Sequence, residues 1–328
     1  MLYDNHGRRI NYVRLAVTDR CNLRCFYCMP ESGIKYMDRK DLLTFEEMER
    51  MLRVFATQGI NKVRITGGEP FVRQGIMEFL ESISTLPGID DINITTNGTT
   101  TSQYIDRLQA IGIKSINLSL DSLNKERFFE ITRRNEFDNV MDTFHQLLET
   151  DINVKINAVV MEGRNIEDIY PMVALTRDHK VSVRFIEEMP FNGTEGQGNT
   201  TFWPMKKILE HIKAEFPNVE KLPDPASSTS SNYQVKGFKG DFGIIAAYTR
   251  TFCGTCNRIR ITPQGTLKTC LYEGGGTSLR DIMRSGASDQ QLTDHLKKTL
   301  SNRFKDGFEA ENDRKNNPVS ESMATIGG

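Results

Sequence analysis

The sequence has no excess of charge of either sign. Its 328 residues include 42 basic and 43 acidic side chains, so the formal net charge is −1. Nucleic acids and anionic membranes bind proteins with a basic excess, so we expect neither partner, although a few local arginines suffice to hold a small anion. No apolar run approaches the roughly 18–20 residues of a membrane span. Residues 1–11 lack the apolar segment of a signal peptide, and we therefore expect a cytoplasmic protein.

Cysteine is scarce and confined to two groups. The six cysteines are Cys21, Cys25 and Cys28 near the start of the chain, and Cys253, Cys256 and Cys270 near its end. A large chain without a signal peptide is expected in a reducing compartment, where disulfides are rare. Two groups of this kind therefore indicate metal ligands.

The first part of the chain alternates between two kinds of pattern. Short runs rich in Val and Ile predict strands at 12–17, 62–65, 92–95, 115–119, 154–159 and 182–186, and amphipathic stretches predict helices at 45–57, 76–86, 104–111, 139–149 and 166–176. Six such units predict an α/β protein with a parallel sheet, either doubly wound or curved into part of a barrel. In either arrangement the chemistry lies beyond the carboxyl ends of the strands.

The pattern changes after Pro190. We expect a helix at 203–216, a flexible loop at 223–232, short strands at 233–237, 243–246, 258–262 and 266–269, and helices at 279–284 and 289–302. The composition of residues 309–322 favours a disordered tail. The predicted domains are therefore 1–190 and a smaller extension, 191–328, that contains the second cysteine group and a tail ending in glycine.

The first cysteine group directly follows the first predicted strand. Three thiolates can hold three irons of a [4Fe–4S] cluster and leave the fourth iron open to a ligand. Zinc is the alternative, although it prefers four ligands and the nearest histidine, His6, is fifteen residues upstream. After the second strand, Gly67 and Gly68 of the segment TGGEP let the backbone turn sharply and present its polar groups to a ligand. An ordinary strand-to-helix turn is the alternative there.

The second cysteine group has the form C-G-T-C followed by a single further cysteine. A zinc ribbon needs a second CxxC pair, so a cluster with an open iron fits better than zinc. In the strand that follows, alternation places Arg258 and Arg260 on one face and Ile259 on the other. A solvated face is the usual position of such arginines, but two guanidiniums beside a metal site are suited to binding phosphate.

Together these motifs resemble a known family. Two features resemble the radical S-adenosylmethionine (SAM) superfamily: the aromatic Tyr27 directly before the third cysteine, and the GGEP turn. The chain closely resembles the GTP 3′,8-cyclase (MoaA) family of molybdenum cofactor biosynthesis, through VTDRCNLRCFYCMP, ITGGEP, TTNG, SLDSL, RFIEEMP, FCGTCNRIRIT and the terminal Gly-Gly. The resemblance implies a partial (β/α)6 TIM-like barrel with a smaller C-terminal α+β extension carrying a second Fe–S cluster.

The same resemblance implies cofactors and site residues. The cofactors are SAM and two [4Fe–4S] clusters, the first on Cys21, Cys25 and Cys28 and the second on Cys253, Cys256 and Cys270. The implied SAM contacts are Tyr27, Gly68, Ser119 and Met189. The implied GTP contacts are Arg14, Arg64, Thr95, Lys155, Arg184, Arg258, Ile259 and Arg260. Catalytic roles fall to Arg258 and Arg260, and to Gly327 and Gly328, which reach into the active site in this family.

The implied reaction begins with reductive cleavage of SAM to a 5′-deoxyadenosyl radical. The radical removes the C3′ hydrogen of GTP, and C3′ then bonds to C8, giving (8S)-3′,8-cyclo-7,8-dihydro-GTP. The reaction needs an external electron donor, and the candidate protein partners are the next enzyme of the pathway, cyclic pyranopterin monophosphate synthase, and a second copy of the chain. The alternatives are a radical SAM enzyme with an auxiliary cluster acting on a peptide or another small molecule, and a non-enzymatic zinc protein.

Overall fold

The computed structural model describes residues 1–189, 202–316 and 323–326. In these residues one sheet contains strands β1 Tyr12–Ala16, β2 Lys62–Thr66, β3 Asp91–Thr96, β4 Ser115–Ser119, β5 Asn153–Val160, β6 Ser182–Glu187, β7 Val219–Lys221, β8 Ser230–Val235, β9 Asp241–Ile245, β10 Arg258–Ile261, β11 Thr266–Lys268 and β12 Thr277–Ser278. The helices are α1 Phe45–Thr57, α2 Ile76–Ser84, α3 Ile105–Ala110, α4 Lys125–Thr132, α5 Phe137–Leu148, α6 Ile169–Asp178, α7 Met205–Glu215, α8 Leu279–Arg284, α9 Asp289–Leu300, α10 Gly307–Asn316 and α11 Met323–Ile326.

The centre of the sheet is parallel. Strands β1 to β6 lie side by side in chain order, β10 pairs with β1, and β9 pairs with β6, all in parallel. Strands from both ends of this row contribute to the wall of one cavity, so the sheet is curved into a partial barrel. The predicted α/β class and parallel sheet are confirmed.

The two faces of the parallel strands differ in chemistry. In β1, Val13 and Leu15 are fully buried in the hydrophobic core, and alternation turns Tyr12 and Arg14 to the opposite face. Helix α1 covers the apolar face with Met48, Met51, Leu52 and Phe55. This helix begins with a capping box, in which the Thr44 side chain accepts from the Glu47 amide at 3.2 Å and the Glu47 carboxylate accepts from the Thr44 amide at 2.8 Å. The polar face is therefore left to line the interior of the barrel.

The C-terminal part of the chain completes the sheet on both sides. Strands β9 and β10 pair with β6 and β1, which would otherwise be open edges that invite non-native pairing. Antiparallel strands then continue outward, β8 and β7 beyond β9, and β11 and β12 beyond β10. The division at residue 190 stays a prediction, and strands from both parts belong to one sheet. No helix in the described part of the chain is both long and apolar enough to cross a bilayer.

Two local predictions were wrong, and one helix was missed. The flexible loop predicted at 223–232 ends instead in β8, where Ser230 pairs with Ile245 and Asn232 with Gly243. Helix α4 was not predicted; its N-terminus is capped by the Asn124 side chain, which accepts from the Arg127 amide at 2.9 Å. Residues 309–316 of the predicted disordered tail belong to α10; this helix buries Ala310 completely, and its Glu311 forms a 2.7 Å ion pair with Arg250, contacts that its composition does not reveal. Gly327 and Gly328 lie outside the described residues.

Candidate active site

A cavity of about 750 Å³ runs through the interior of the curved sheet, from the carboxyl ends of its parallel strands to the amino ends of β1 and β10. The prediction that the chemistry lies beyond the carboxyl ends holds for the first cysteine group but is wrong for the second, since Cys256 lies just before the start of β10. All six cysteines line it, although the two groups are far apart in the sequence. The other predicted site residues in its wall are Arg14, Tyr27, Arg64, Gly68, Thr95, Ser119, Lys155, Arg184, Met189, Arg258 and Arg260. The Ile259 side chain is fully buried in the core on the other face of β10, so only its backbone can contact a ligand in the cavity.

The glycine-rich turn after β2 lies directly against the first cysteine loop. The Gly68 amide donates to the Thr18 carbonyl at 2.7 Å, and the Glu69 amide donates to the Arg20 carbonyl at 2.8 Å. A Cβ at Gly68 would lie 2.2 Å from the Arg20 carbonyl oxygen, inside van der Waals contact. The turn therefore needs glycine at this position because the two backbones touch.

A buried carboxylate connects the same turn to the end of β3. The Glu69 carboxylate accepts from the Asn97 amide at 2.6 Å, the Phe71 amide at 3.1 Å and the Thr96 hydroxyl at 2.9 Å. Burial raises the pKa of Glu69 to about 7, although these hydrogen bonds favour the ionised form. The Asn97 side chain in turn donates to the Cys21 sulfur at 3.6 Å, so this network positions the first cysteine group.

The first three thiols are half-buried and lie near one another. Burial raises the pKa of Cys21 to about 11. The pKa of Cys25 is raised well above its usual value by burial, by Asp121 and by the two neighbouring thiols. An iron cluster reverses this tendency, because a coordinated thiol is deprotonated by the metal charge. Three neighbouring thiols are the donor set that a [4Fe–4S] cluster with one open iron requires.

Tyr27 is fixed by a second buried carboxylate. Its hydroxyl donates to Asp121 Oδ2 at 2.7 Å, and Asp121 Oδ1 accepts from the Val159 amide at 2.8 Å. Burial raises the pKa of Asp121 to about 6 against the effect of these hydrogen bonds. The arrangement joins the first cysteine loop to the ends of β4 and β5.

The second cysteine group forms where two antiparallel strands meet. Cys256 lies just before β10 and Cys270 just after its partner β11, so both fall at the same end of the pair. Burial opposes ionisation of Cys256, but Arg258 and Arg303 outweigh it and lower the pKa of this thiol to about 7. Burial raises the pKa of Cys270 to about 11. Within the described ranges, no three His, Cys, Asp or Glu side chains are arranged to hold a single metal ion.

Three arginines lie side by side on the polar face of the sheet. Arg14 is the register partner of Arg260 on one side and of Arg64 on the other. The pKa of Arg14 is well below its usual value because of burial and of Arg260, and burial together with Arg258 lowers that of Arg260 to about 10. Like charges this close repel one another, and an anion that bridges them relieves the repulsion.

The remaining basic residues differ in how their charge is balanced. Arg258 Nη2 is buried without a hydrogen-bond partner among the described residues. Burial and the neighbouring Arg184 lower the pKa of Lys155. Arg184 itself forms a 2.7 Å ion pair with Asp241, so a carboxylate already balances its charge. Arg64 donates to the Tyr12 hydroxyl at 2.6 Å and lies 3.5 Å from the Thr95 hydroxyl.

Sequence reasoning missed several residues that build this site. Asn97, Asp121 and Glu187 belong to the recognised segments TTNG, SLDSL and RFIEEMP, but their contacts were not predicted. Glu187 is fully buried and accepts from the amides of Met205, Tyr248 and Thr249. For Asp121 and Glu187, the signal available in the sequence was an acidic residue inside a recognised segment.

The curved parallel sheet, with a CxxxCxxC loop after β1 and a GGEP turn after β2, defines a radical SAM protein. Residues 15–176 match the Radical SAM superfamily model, and residues 181–308 match the model for Molybdenum Cofactor Synthesis C. Among solved structures, Streptococcus suis SuiB bound to its precursor peptide SuiA superposes with a TM-score of 0.60 at 16% identity, covering 89% of this chain and 68% of that one. This likeness shows the fold.

Relatives define the family more narrowly. The chain is 40% identical over 303 residues to GTP 3′,8-cyclase of Clostridium perfringens, covering 90% of this chain and 91% of that protein. It is 40% identical to the mitochondrial GTP 3′,8-cyclase of Arabidopsis thaliana, covering 89% of this chain and 75% of that one. It is 41% identical to molybdenum cofactor biosynthesis protein 1 of Bos taurus, covering 89% of this chain; the chain spans about half the length of that relative, 46%. The chain therefore belongs to the GTP 3′,8-cyclase family of radical SAM proteins, a membership that implies a [4Fe–4S] cluster and SAM.

Proposed function

We propose that this chain converts GTP to (8S)-3′,8-cyclo-7,8-dihydro-GTP, the first step of molybdenum cofactor biosynthesis. One observation carries the proposal: both cysteine groups and the arginines of β1, β2 and β10 line a single cavity. A cavity of this kind can hold a reactive centre and a polyanionic substrate together.

In this proposal the first cysteine group holds the cluster to which SAM binds. When bound, the cluster and SAM supply a 5′-deoxyadenosyl radical on reduction by an external donor. The chain positions the cofactors through the backbone contact at Gly68 and the Tyr27–Asp121 hydrogen bond. Ser119 and Met189 complete the proposed SAM contacts from the ends of β4 and β6.

The basic residues bind the substrate in this proposal. GTP carries about four negative charges, which several convergent guanidiniums neutralise through charge-assisted hydrogen bonds. Arg14 and Arg260 lie in register, and Arg258 has a buried nitrogen available to donate. The other proposed GTP contacts are Arg64, Thr95, Lys155, Arg184 and Ile259. Fixing the triphosphate on the strands orients the ribose so that its C3′ hydrogen faces the radical.

The second cysteine group is proposed to hold a second [4Fe–4S] cluster whose open iron binds the guanine ring. Its three sulfurs line the same cavity as the arginines of β10. The glycine-ended tail, Gly327 and Gly328, is proposed to enter this cavity and to help place the substrate. The division into a barrel domain, 1–190, and an extension, 191–328, is part of the same proposal.

The experiment is anaerobic incubation of iron-loaded protein with SAM, a chemical reductant, and GTP present or absent. The proposal expects about eight irons per chain and 5′-deoxyadenosine whose formation depends on GTP. Cys21→Ala should abolish SAM cleavage, whereas Cys253→Ala should retain slow cleavage without cyclisation. Equal 5′-deoxyadenosine with and without GTP would favour the alternative, an enzyme acting on a peptide or another small molecule.

A further inference from the structure

Arg303 reaches the second cysteine group from the segment that follows α9. Its Nη2 donates to the Cys256 sulfur at 3.1 Å and to the Arg258 carbonyl at 3.0 Å, and its Nη1 donates to the Cys256 carbonyl at 3.1 Å. Only 3% of the side chain is exposed. The guanidinium is therefore bound to Cys256 through both its sulfur and its backbone.

The N-terminal segment fixes this arginine in place. The Asp4 carboxylate, whose side chain is fully buried, accepts from Arg303 Nη1 at 3.2 Å and from Arg8 Nε at 2.6 Å. Arg8 in turn donates to the carbonyls of Cys253 and Phe304 at 3.1 and 2.9 Å. The Asp4 carboxylate thus holds both Arg8 and Arg303. Among the hydrogen bonds of the described residues, Arg303 donates to a cysteine sulfur and Arg8 does not.

We propose that Arg303, held by Asp4, is a positioning residue that keeps an N–H···S hydrogen bond on Cys256 and so raises the reduction potential of the second cluster. The inference rests on the second cluster of the proposed function. Hydrogen bonds to the ligand sulfurs and nearby positive charge both favour the reduced state of an iron–sulfur cluster, since each offsets the added electron.

Arg258 cannot replace Arg303 in this role. Both arginines line the cavity, and Arg258 also lies against the Cys256 sulfur, but Arg258 is a proposed substrate contact, so the substrate competes for it. Arg303 is bound by Asp4 and by two backbone carbonyls. Its contact with the sulfur therefore does not depend on whether substrate is bound.

The test is an anaerobic redox titration of the iron-loaded protein, followed by electron paramagnetic resonance. The signal of the first cluster is recognised because it changes when SAM is added. The variants are Arg303→Gln, which removes the charge, and Arg8→Gln as the matched control, since Arg8 shares Asp4 but does not contact the sulfur. Both variants lose a positive charge near the second cluster, so we expect its midpoint potential to become more negative in both, and by more in Arg303→Gln, which also loses the hydrogen bond to the Cys256 sulfur. The first cluster should be unchanged in both variants.

Equal midpoint potentials of the second cluster in the two variants, whether shifted from the wild type or not, would overturn the inference. If Arg303→Gln loses the iron of that cluster, Arg303→Lys keeps a charge and a donor and should retain it, with a potential below that of the wild type. Loss of this iron from Arg303→Lys as well would make the arginine structural and refute the tuning role. A wild-type protein with only about four irons per chain would contradict the proposed function itself, before any variant is compared.

Discussion

Replacing Gly68 with alanine places a methyl group where the structure has backbone. The new Cβ would lie 2.2 Å from the Arg20 carbonyl oxygen, 2.6 Å from its carbon and 3.0 Å from the Asp19 oxygen. No flexible side chain can move aside here, so the turn after β2 and the first cysteine loop must separate. That movement breaks the hydrogen bonds to the Thr18 and Arg20 carbonyls.

The cost of Gly68→Ala follows from these contacts. Forcing extra volume into a packed site costs about 1–3 kcal/mol, and each of the two lost hydrogen bonds adds about 0.5–1.5 kcal/mol. The sum, roughly 2–6 kcal/mol, falls on the loop that contains Cys21 and Cys25. We therefore expect the variant to lose the SAM cluster and to keep the second one, so that iron falls from about eight to about four per chain.

The assay is iron analysis and SAM binding in Gly68→Ala, with Gly112→Ala as the matched control. Gly112 has a φ of +75°, and no atom lies within 4 Å of the position that a Cβ would take there. Alanine at this position therefore strains the backbone by about 1–2 kcal/mol without touching the site. The control should keep both clusters. Full iron content and normal SAM binding in Gly68→Ala would refute the argument from the backbone contact.

Three further predictions concern the cavity. Losing a charge-assisted hydrogen bond costs about 1.5–3 kcal/mol, so Arg260→Ala should weaken GTP binding by roughly 10–150-fold in a calorimetric titration with iron unchanged; unchanged affinity would exclude Arg260 as a phosphate contact. Burial raises the pKa of Asp121 to about 6, so protonated Asp121 adds stability that is fully present below pH 3.8 and is lost as the pH rises through 6. Tyr27→Phe removes a hydrogen bond to the carboxylate and should move the titration midpoint of Asp121, read from its carboxyl carbon resonance, to higher pH. An unmoved midpoint would contradict the hydrogen bond. Deleting Gly327 and Gly328 should abolish cyclisation while iron content and SAM binding persist; full activity would show that the tail has no catalytic role.

The sequence predicted correctly the helices and strands that are determined by residues close together in the chain. The bounds of α1 and β4 agree with the predictions, because the capping box at Thr44 and a short apolar run between turn residues are visible in the sequence. Ser230 to Asn232 were predicted as a loop because they are polar. They form a strand because they pair with β9. Pairing partners far along the chain leave no local signal.

The candidate site divides in the same way. Spacing alone grouped the cysteines and predicted metal ligands, and alternation placed Arg258 and Arg260 on one face of β10. The contact between Gly68 and Arg20, and that between Asp4 and Arg303, join segments that only the fold brings together. The sequence contains no pattern that pairs the first residues of the chain with those after α9.

The central claim is that this cavity directs a radical to the C3′ hydrogen of GTP. The most direct test is anaerobic turnover with GTP deuterated at C3′, followed by mass analysis of the 5′-deoxyadenosine formed. The account predicts that the 5′-deoxyadenosine contains deuterium from this GTP and none from GTP deuterated elsewhere on the ribose. Undeuterated 5′-deoxyadenosine from the C3′-labelled substrate would contradict it.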